Sequence, residues 1–223
     1  STQWQVYALP IAGFVGACLA TLLVYRLSTT DNYTDITIML LAGIAITALG
    51  GALTGIIIYI ADDNQLRDIT FWSMGSLANL GWSDVMFSGP ILLVCAFILT
   101  RYAGPLNLML MGESVAKYSG VDVTKLKKYI IMIVALMVSI CVCLSGLIGF
   151  VGLVCPHIVR LAVGPDHKKM IPLSATLGAS MLCVADLFSR VIIAPAELPI
   201  GIITALIGAP FFMWLLVKQK QSL

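Results

Sequence analysis

Long apolar runs separated by short polar segments dominate this chain. An α-helix that crosses the hydrocarbon core of a bilayer needs about 20 apolar residues. Six runs approach or exceed that length: Val6–Tyr25, Ile36–Ile60, Val85–Thr100, Tyr129–Val163, Ile171–Ile193 and Pro199–Val217. The pattern therefore predicts an all-α fold, a polytopic transmembrane helical bundle.

The run Tyr129–Val163 is too long for one span and slightly short for two. It is interrupted by Gly146, Gly149, Gly152 and Pro156, and glycine and proline are the residues at which long helices break or kink. A break near Gly146–Gly149 predicts one full span followed by a short span that contains the proline. This division brings the number of spans to seven.

Composition and charge placement agree with this count. Hydrophobic residues make up 60% of the 223 residues and charged residues only 11%, against about 25% charged in soluble domains, which excludes a soluble enzyme or a nucleic-acid-binding protein. Lys and Arg are favoured on the cytoplasmic side of span ends. With a cytoplasmic C-terminus, eleven of the thirteen basic residues lie inside, and only Arg67 and Arg190 lie outside.

Seven spans with a cytoplasmic C-terminus place the N-terminus outside. The chain starts with Ser-Thr-Gln-Trp, without an initiating methionine. We therefore expect an odd number of further spans upstream in the natural protein. Residues 1–223 are interpreted as a single transmembrane domain, truncated at its N-terminal side, with a large cytoplasmic loop at 101–128.

The loop 101–128 has the signals of short helices. Glu113 and Lys117 are spaced for an i, i+4 ion pair, Gly120 suits the position after a helix end, and Asp122 is a suitable cap for a second short helix. Two short helices would form a rigid knob on the cytoplasmic face. Such a knob either merely connects two spans or presents its mixed apolar and polar surface to a partner.

Small residues recur every four positions along several spans, a pattern that lets helix backbones approach closely in lipid. The second span carries Gly43, Thr47, Gly51 and Gly55, and the last span carries Gly201, Ala205 and Ala209. Close packing within the bundle explains such stripes, and a wall of a transport path is the alternative.

Few polar residues lie inside the spans. Asp186 and Arg190 are four residues apart near the outer end of the sixth span, where they form either a structural ion pair or a docking site. His157 and His167 are isolated, and the six cysteines have no Cys-x-x-Cys or histidine at ligand spacing, so no metal site or disulfide framework is indicated. We expect His167 to order the turn before the sixth span.

Several longer motifs resemble one known family. They are the loop pattern Leu-x-Leu-x-x-x-Gly112-Glu113-x-x-Ala116-x-x-x-Gly120, the stretch from Gly149 to Arg160 containing Pro156-His157, Asp166-His167-Lys168, Ala185-Asp186-x-x-x-Arg190, and the segment from Pro195 to Pro210. These stretches resemble the FecCD family of bacterial permeases. Members are membrane subunits of ABC importers for iron-siderophores, heme and vitamin B12.

The resemblance implies a fold and an assembly. Family members have ten spans in the type II ABC importer permease fold, so the seven spans here correspond to the fourth to tenth. The resemblance also implies a homodimer in the bacterial inner membrane with two ATPase subunits and a periplasmic substrate-binding protein. The chain has no Gly-x-x-x-x-Gly-Lys-Ser/Thr phosphate loop. ATP and Mg are therefore expected on the separate ATPase, with no cofactor in this chain.

The resemblance further implies roles for single residues. Coupling to the ATPase is assigned to the loop around Gly112–Gly120, and docking of the binding protein to Arg190 supported by Asp186. The cytoplasmic gate is assigned to the start of the second span, and the path to its small-residue stripe. The predicted residues are, for coupling, Gly112, Glu113, Ala116, Lys117 and Gly120; for docking, Asp186 and Arg190; and for the path and gate, Thr34, Ile36, Thr37, Gly43, Thr47, Gly51 and Gly55.

The predicted cargo is an iron-containing chelate. The segment from Leu66 to Leu77 most resembles the heme-importing branch, ferric siderophores remain an alternative, and vitamin B12 is a third. An intramembrane enzyme is disfavoured because no span carries paired carboxylates, a Ser-Lys dyad or a His-Glu-x-x-His motif. A channel is disfavoured because no charged ring or filter-like repeat is present.

Overall fold

The computed structural model is a bundle of α-helices joined by short connections. It describes residues 3–30, 33–78 and 80–220; at positions 3–10, 30, 33, 34, 36, 216, 219 and 220 it describes the backbone without the side chain. The helices are α1 Gln3–Ser28, α2 Ile36–Ile60, α3 Asp63–Met74, α4 Trp82–Arg101, α5 Ala103–Leu110, α6 Glu113–Tyr118, α7 Val123–Ser145, α8 Val151–Val163, α9 His167–Val191 and α10 Ile200–Lys220.

Within the described residues, five helices are long and apolar enough to cross a membrane, judged by length and composition: α1, α2, α4, α7 and α9. Two shorter apolar segments, Val151–Val163 and Ile200–Leu215, are α8 and most of α10. Many large apolar side chains of these helices are exposed, including those of Leu40, Ile44 and Leu93. An apolar surface of this extent is typical of a protein whose solvent is lipid, and the fold is a polytopic membrane bundle.

The predicted break in the long apolar run is confirmed. α7 ends at Ser145, Gly146 has a φ of 69°, and α8 begins at Val151 after Phe150, whose φ is 67°. A positive φ is accessible to glycine without cost, which explains why α7 stops at Gly146. A methyl group on Gly146 would also overlap the carbonyl oxygen of Trp72, so glycine is needed for close contact with α3.

Three chain segments meet at this break, and we call their meeting point the α3 junction: residues 74–76, 145–150 and 198–201. Ser76 donates its backbone N–H to the Ser145 carbonyl oxygen at 2.8 Å, and Ile200 donates to the Gly75 carbonyl oxygen at 3.1 Å. Ile200, Ile203 and Ala185 form the buried apolar cluster beside it. The junction therefore fixes α3, α7, α9 and α10 relative to one another at one end of the bundle.

Two elements were not predicted from the apolar pattern. Helix α3 is polar enough to escape a search for spans, and it begins with a capping box in which Asp62 accepts from Gln65 N at 2.8 Å and Gln65 accepts from Asp62 N at 3.3 Å. A two-residue hairpin, β1 Thr29–Thr30 and β2 Tyr33–Thr34, joins α1 to α2. The all-α prediction is thus correct except for this short hairpin.

Candidate functional site

The segment 101–122 folds as two short helices at the end of the bundle opposite the α3 junction. These helices are α5 and α6, and Gly112 separates them with a φ of 113°. Gly120, with a φ of 85°, follows the end of α6 as predicted. Asp122 caps a helix, accepting from Lys125 N at 3.1 Å, but that helix is the long α7 and not a second short one. The predicted knob therefore exists with a different division of its helices.

The prediction of an ion pair between Glu113 and Lys117 is wrong. Glu113 instead accepts a hydrogen bond from Lys127 Nζ at 2.5 Å, with the two side chains 31% and 12% exposed. Lys127 lies in the first turns of α7, so the contact joins α6 to α7 across 14 residues of sequence. A partly buried pair is less screened than a surface pair, and this contact fixes the position of α6.

Large apolar side chains on and beside α6 are exposed. Tyr118 is 93% exposed and Met111 70%, whereas Ala116 is fully buried. Lys117 is exposed beside them. Among the residues that were predicted to couple to a partner, Ala116 therefore packs inward, and the exposed face comprises Met111, Val115, Lys117 and Tyr118.

A polar network joins α5 to the start of α9. Asn107 Nδ2 donates to Asp166 Oδ1 at 2.6 Å, and Asn107 Oδ1 accepts from the backbone N–H of His167 at 2.8 Å. His167 Nδ1 lies 2.9 Å from the same Asn107 oxygen. Asp166 also caps α9 by accepting from Lys168 N at 3.0 Å. The expectation that His167 orders this turn is confirmed.

Sequence reasoning missed Asn107. It occupies a variable position of the loop pattern, between Leu106 and Leu108, and its partners lie about 60 residues away. The Asn107 amide lowers the pKa of Asp166, mainly through its hydrogen bond to the carboxylate, with a smaller contribution from Lys168 N–H. Asp166 therefore keeps its charge at neutral pH and remains an acceptor for both donors.

Arg190 and Asp186 form the predicted ion pair near the C-terminal end of α9. Asp186 accepts from Arg190 Nε at 2.8 Å and from Arg190 Nη2 at 3.2 Å, so one edge of the guanidinium is already occupied. Glu197 Oε1 lies 3.8 Å from Arg190 Nη1. Asp186 therefore binds the guanidinium through two nitrogen atoms. Arg190 nonetheless remains 45% exposed.

The start of the second span is ordered by a cap that the sequence analysis did not name. Asp35 accepts from Thr37 N at 2.7 Å and from Ile38 N at 3.2 Å, and α2 begins at Ile36 as predicted. The side chains of Thr34 and Ile36 lie outside the described residues. Their predicted role at a gate therefore stays a prediction.

The small-residue stripe of α2 does not pack against another helix of the described chain. A methyl group on Gly43, Gly51 or Gly55 would meet no atom within 4 Å, and Thr47 is exposed. Close packing within the described chain therefore does not explain this stripe. In the last span, by contrast, a methyl group on Gly201 would overlap the Met74 carbonyl oxygen.

A cavity of about 350 Å³ lies beside the α3 junction. Its walls come from the C-terminal end of α3, the α7–α8 connection and the first turns of α10. The lining residues are Ser73, Met74, Leu147, Gly149, Phe150, Gly201, Ile202 and Ala205. No charged side chain is among them, so the cavity suits an apolar or weakly polar surface.

Neither histidine belongs to a metal-binding cluster in the described part of the chain. The ring of His157 packs edge-on against Phe211, with centroids 6.2 Å apart. Cys18, Cys95, Cys141, Cys155 and Cys183 are thiols outside any disulfide. The interpretation of the histidines as structural residues is consistent with these contacts.

Comparison with protein-family models places the chain. The model of the FecCD transport family matches residues 1–218. This chain belongs to the FecCD transport family. The membership agrees with the observed membrane bundle, because FecCD proteins are non-catalytic transmembrane subunits.

Curated relatives of this FecCD chain include transporters of two kinds of cargo. The hemin transport system permease HmuU of Yersinia pestis is 38% identical over 217 residues, which are 97% of this chain and 65% of the relative. The cobalamin import permease BtuC of Halobacterium salinarum is 40% identical over 94% of this chain and 56% of its own length. The chain thus spans less than two thirds of either relative.

A solved structure confirms the fold class. It is described as an inward-facing conformation of an ABC transporter of the metal-chelate type. The superposition has a TM-score of 0.80 at 32% sequence identity and covers 94% of this chain and 71% of the other. The helices of the FecCD chain are therefore arranged as in a type II ABC importer permease.

Proposed function

We propose that this FecCD chain is part of the transmembrane permease subunit of a bacterial ABC importer for an iron-containing chelate. The observation that carries the proposal is the family match over residues 1–218, together with the fold shared with the metal-chelate-type transporter. The proposed assembly is a homodimer in the inner membrane with two ATPase subunits and a periplasmic binding protein. The proposed C-terminus is cytoplasmic, and ATP and Mg belong to the ATPase.

The proposed ATPase contact is the exposed face of α6. Two glycines with positive φ, Gly112 and Gly120, bound this helix, and the Glu113–Lys127 contact fixes it to α7. An exposed patch of Tyr118, Met111 and Val115 beside Lys117 suits a protein partner, since aromatic and methionine side chains are enriched at interface cores. ATP-driven movement of the partner would then act on a rigid element.

The proposed docking site for the binding protein is at the other end of the bundle, around Arg190. Its guanidinium is bound on one edge by Asp186 and is 45% exposed. A guanidinium that is already oriented offers its remaining N–H groups to a carboxylate with little entropy loss. Acidic residues of a partner are the groups that this site would recognise.

The proposed transport path follows the unpacked face of α2 and the cavity at the α3 junction. The open stripe Gly43–Gly55 offers a smooth surface, and the 350 Å³ cavity has no charged lining. A large, mostly apolar chelate would pass such surfaces without binding tightly. The narrowest point is proposed at Thr34, Ile36 and Thr37, near the axis between two copies.

The proposed cargo is heme or a ferric siderophore, with vitamin B12 as the alternative. The similarity to HmuU favours heme, and the comparable similarity to BtuC proteins supports the alternative. The test is uptake of heme, a ferric siderophore and cobalamin by the full-length permease in proteoliposomes with its ATPase and binding protein. Heme or siderophore uptake is expected, and uptake of cobalamin alone would replace this cargo by the alternative.

A further inference from the structure

The segment proposed to contact the ATPase is joined to two long helices by two different contacts. Helix α6 is joined to α7 through Glu113 and Lys127, and α5 is joined to α9 through Asn107. Helices α7 and α9 both reach the α3 junction, where Ser145 accepts from Ser76 and Leu198 donates to Ser189. A displacement of the short helices therefore has two routes to the opposite end of the molecule.

The Asn107 contact is unusually specific in its geometry. Its oxygen faces a backbone N–H, which is always a donor, so its nitrogen must face the Asp166 carboxylate. This orientation requires that His167 carry a proton on Nδ1 in order to donate to the same Asn107 oxygen at 2.9 Å. Three hydrogen bonds from one side chain thus fix α5 to the first turn of α9.

Helix α9 is suited to transmit a displacement. It has 25 residues, which at 1.5 Å per residue span roughly 37 Å, and Asp166 caps it at the end that Asn107 holds. Its far end carries the Asp186–Arg190 pair and the buried Ala185 of the junction cluster. One rigid helix therefore connects the short-helix segment to the proposed docking site.

We propose that Asn107 is a positioning residue that couples movement of the short helices to α9, with Asp166 and His167 as its two partners. The proposal rests on the proposed transport function and deepens it. Without Asn107, the ATPase partner would still bind α6 and hydrolyse ATP. Less of each hydrolysis step would reach α9, so fewer substrate molecules would be moved per ATP.

The test measures substrate molecules imported per ATP hydrolysed by the complete transporter in proteoliposomes. Asn107→Leu keeps the approximate size of the side chain and removes all three hydrogen bonds. In this variant the number of substrate molecules imported per ATP should fall about fivefold or more, which is the lower range of typical coupling between sites. The amount of ATPase that co-purifies should stay normal. Asp166→Asn is the matched control, because an amide oxygen still accepts from Asn107 and still caps α9; its ratio should stay within about twofold.

A second pair of variants keeps the proposal testable if Asn107→Leu does not accumulate in the membrane. The amide nitrogen of asparagine occupies nearly the position of histidine Nδ1, and that of glutamine the position of Nε2. His167→Asn should therefore keep the wild-type ratio within about twofold, and His167→Gln should lower it at least about threefold. Equal ratios in these two variants would overturn the proposal.

Two failures are distinguishable in the same preparation. A wild-type transporter that takes up no substrate with ATP would contradict the proposed function, and the coupling role would fall with it. A wild-type transporter that imports substrate, beside an Asn107→Leu transporter with the same ratio, would contradict the coupling role alone. A merely structural Asn107 would lower the quantity of assembled transporter and leave the ratio unchanged.

Discussion

The spacing of residues along the chain predicts some of the side-chain pairs in this protein and not others. The Asp186–Arg190 pair was predictable because both groups lie on one face of one helix, four residues apart. The Glu113–Lys117 pair obeys the same rule and does not form, because Glu113 is paired with Lys127 of α7 instead. A partner supplied by tertiary packing, such as Asp166 for Asn107, leaves no signal in local spacing.

At this scale we predict that Arg190 contributes to docking of the binding protein. Arg190→Lys should raise the Kd of the binding protein a few-fold at low ionic strength. Lysine cannot both keep the bidentate contact with Asp186 and present an oriented donor to the binding protein. Arg190→Glu should raise the Kd about tenfold or more, since a third carboxylate beside Asp186 and Glu197 would repel an acidic partner. The measurement is the affinity of the binding protein for the reconstituted permease, whose membrane quantity is checked first.

Arg67→Glu is the matched control, because Arg67 is an exposed arginine of α3 with its guanidinium 5.6 Å from the Phe71 ring centroid. It makes the same change of charge at a residue outside the Asp186–Arg190–Glu197 cluster and should leave the affinity nearly unchanged. An equal loss in both variants would mean that net charge alone decides docking. Wild-type affinity in Arg190→Glu would return the pair to a purely structural role.

Among the elements, the apolar helices were predictable, and the polar connections were less so. The bounds Ile36–Ile60 agree between sequence and structure because a long apolar run in lipid has no other stable conformation. Helix α3 was not predicted because its surface is too polar for a span. Its start was nonetheless encoded, since Asp62 and Gln65 have the spacing of a capping box.

The small-residue stripes show that the sequence pattern predicts possible helix packing and not the packing partner. A repeat of small residues indicates that a close approach is sterically allowed, and it does not name the partner. In α10 the approach is realised within the chain, between Gly201 and Met74, whereas the stripe of α2 is open. The sequence therefore predicted where helices have room to approach, and the structure shows which of them do.

We predict that Gly201→Ala disrupts the α3 junction. The added methyl group would overlap the Met74 carbonyl oxygen, and the required backbone shift should lower the free energy of unfolding by about 1–3 kcal/mol. Gly50→Ala in α2 is the matched control, because a methyl group there meets no atom within 4 Å and alanine favours the helix by up to about 1 kcal/mol. Thermal unfolding of the full-length protein in detergent measures both; a Gly201→Ala protein as stable as Gly50→Ala would contradict the junction's role.

The whole molecule is a membrane bundle whose two ends are built differently. One end presents short helices fixed by Glu113 and Asn107, and the other carries the α3 junction, the cavity and the Arg190 site. Nothing in the apolar pattern alone names the cargo, because smooth, weakly polar surfaces contain no coordination groups. Family membership does not name the cargo either, because a hemin permease and a cobalamin permease have similar sequence identity to this chain, 38% and 40%.

In the proposed function, this chain provides the membrane-spanning part of a transporter that is moved by a separate ATPase. The most direct measurement is uptake of labelled substrate into proteoliposomes that contain the full-length permease, its ATPase and the binding protein, with ATP supplied on the ATPase side. We expect the substrate to accumulate above its external concentration, to require Mg-ATP for this accumulation, and to stop accumulating when the phosphate-loop lysine of the ATPase is replaced. Equilibration of the substrate without ATP, at a rate that the inactive ATPase does not change, would identify a channel and contradict the proposed function.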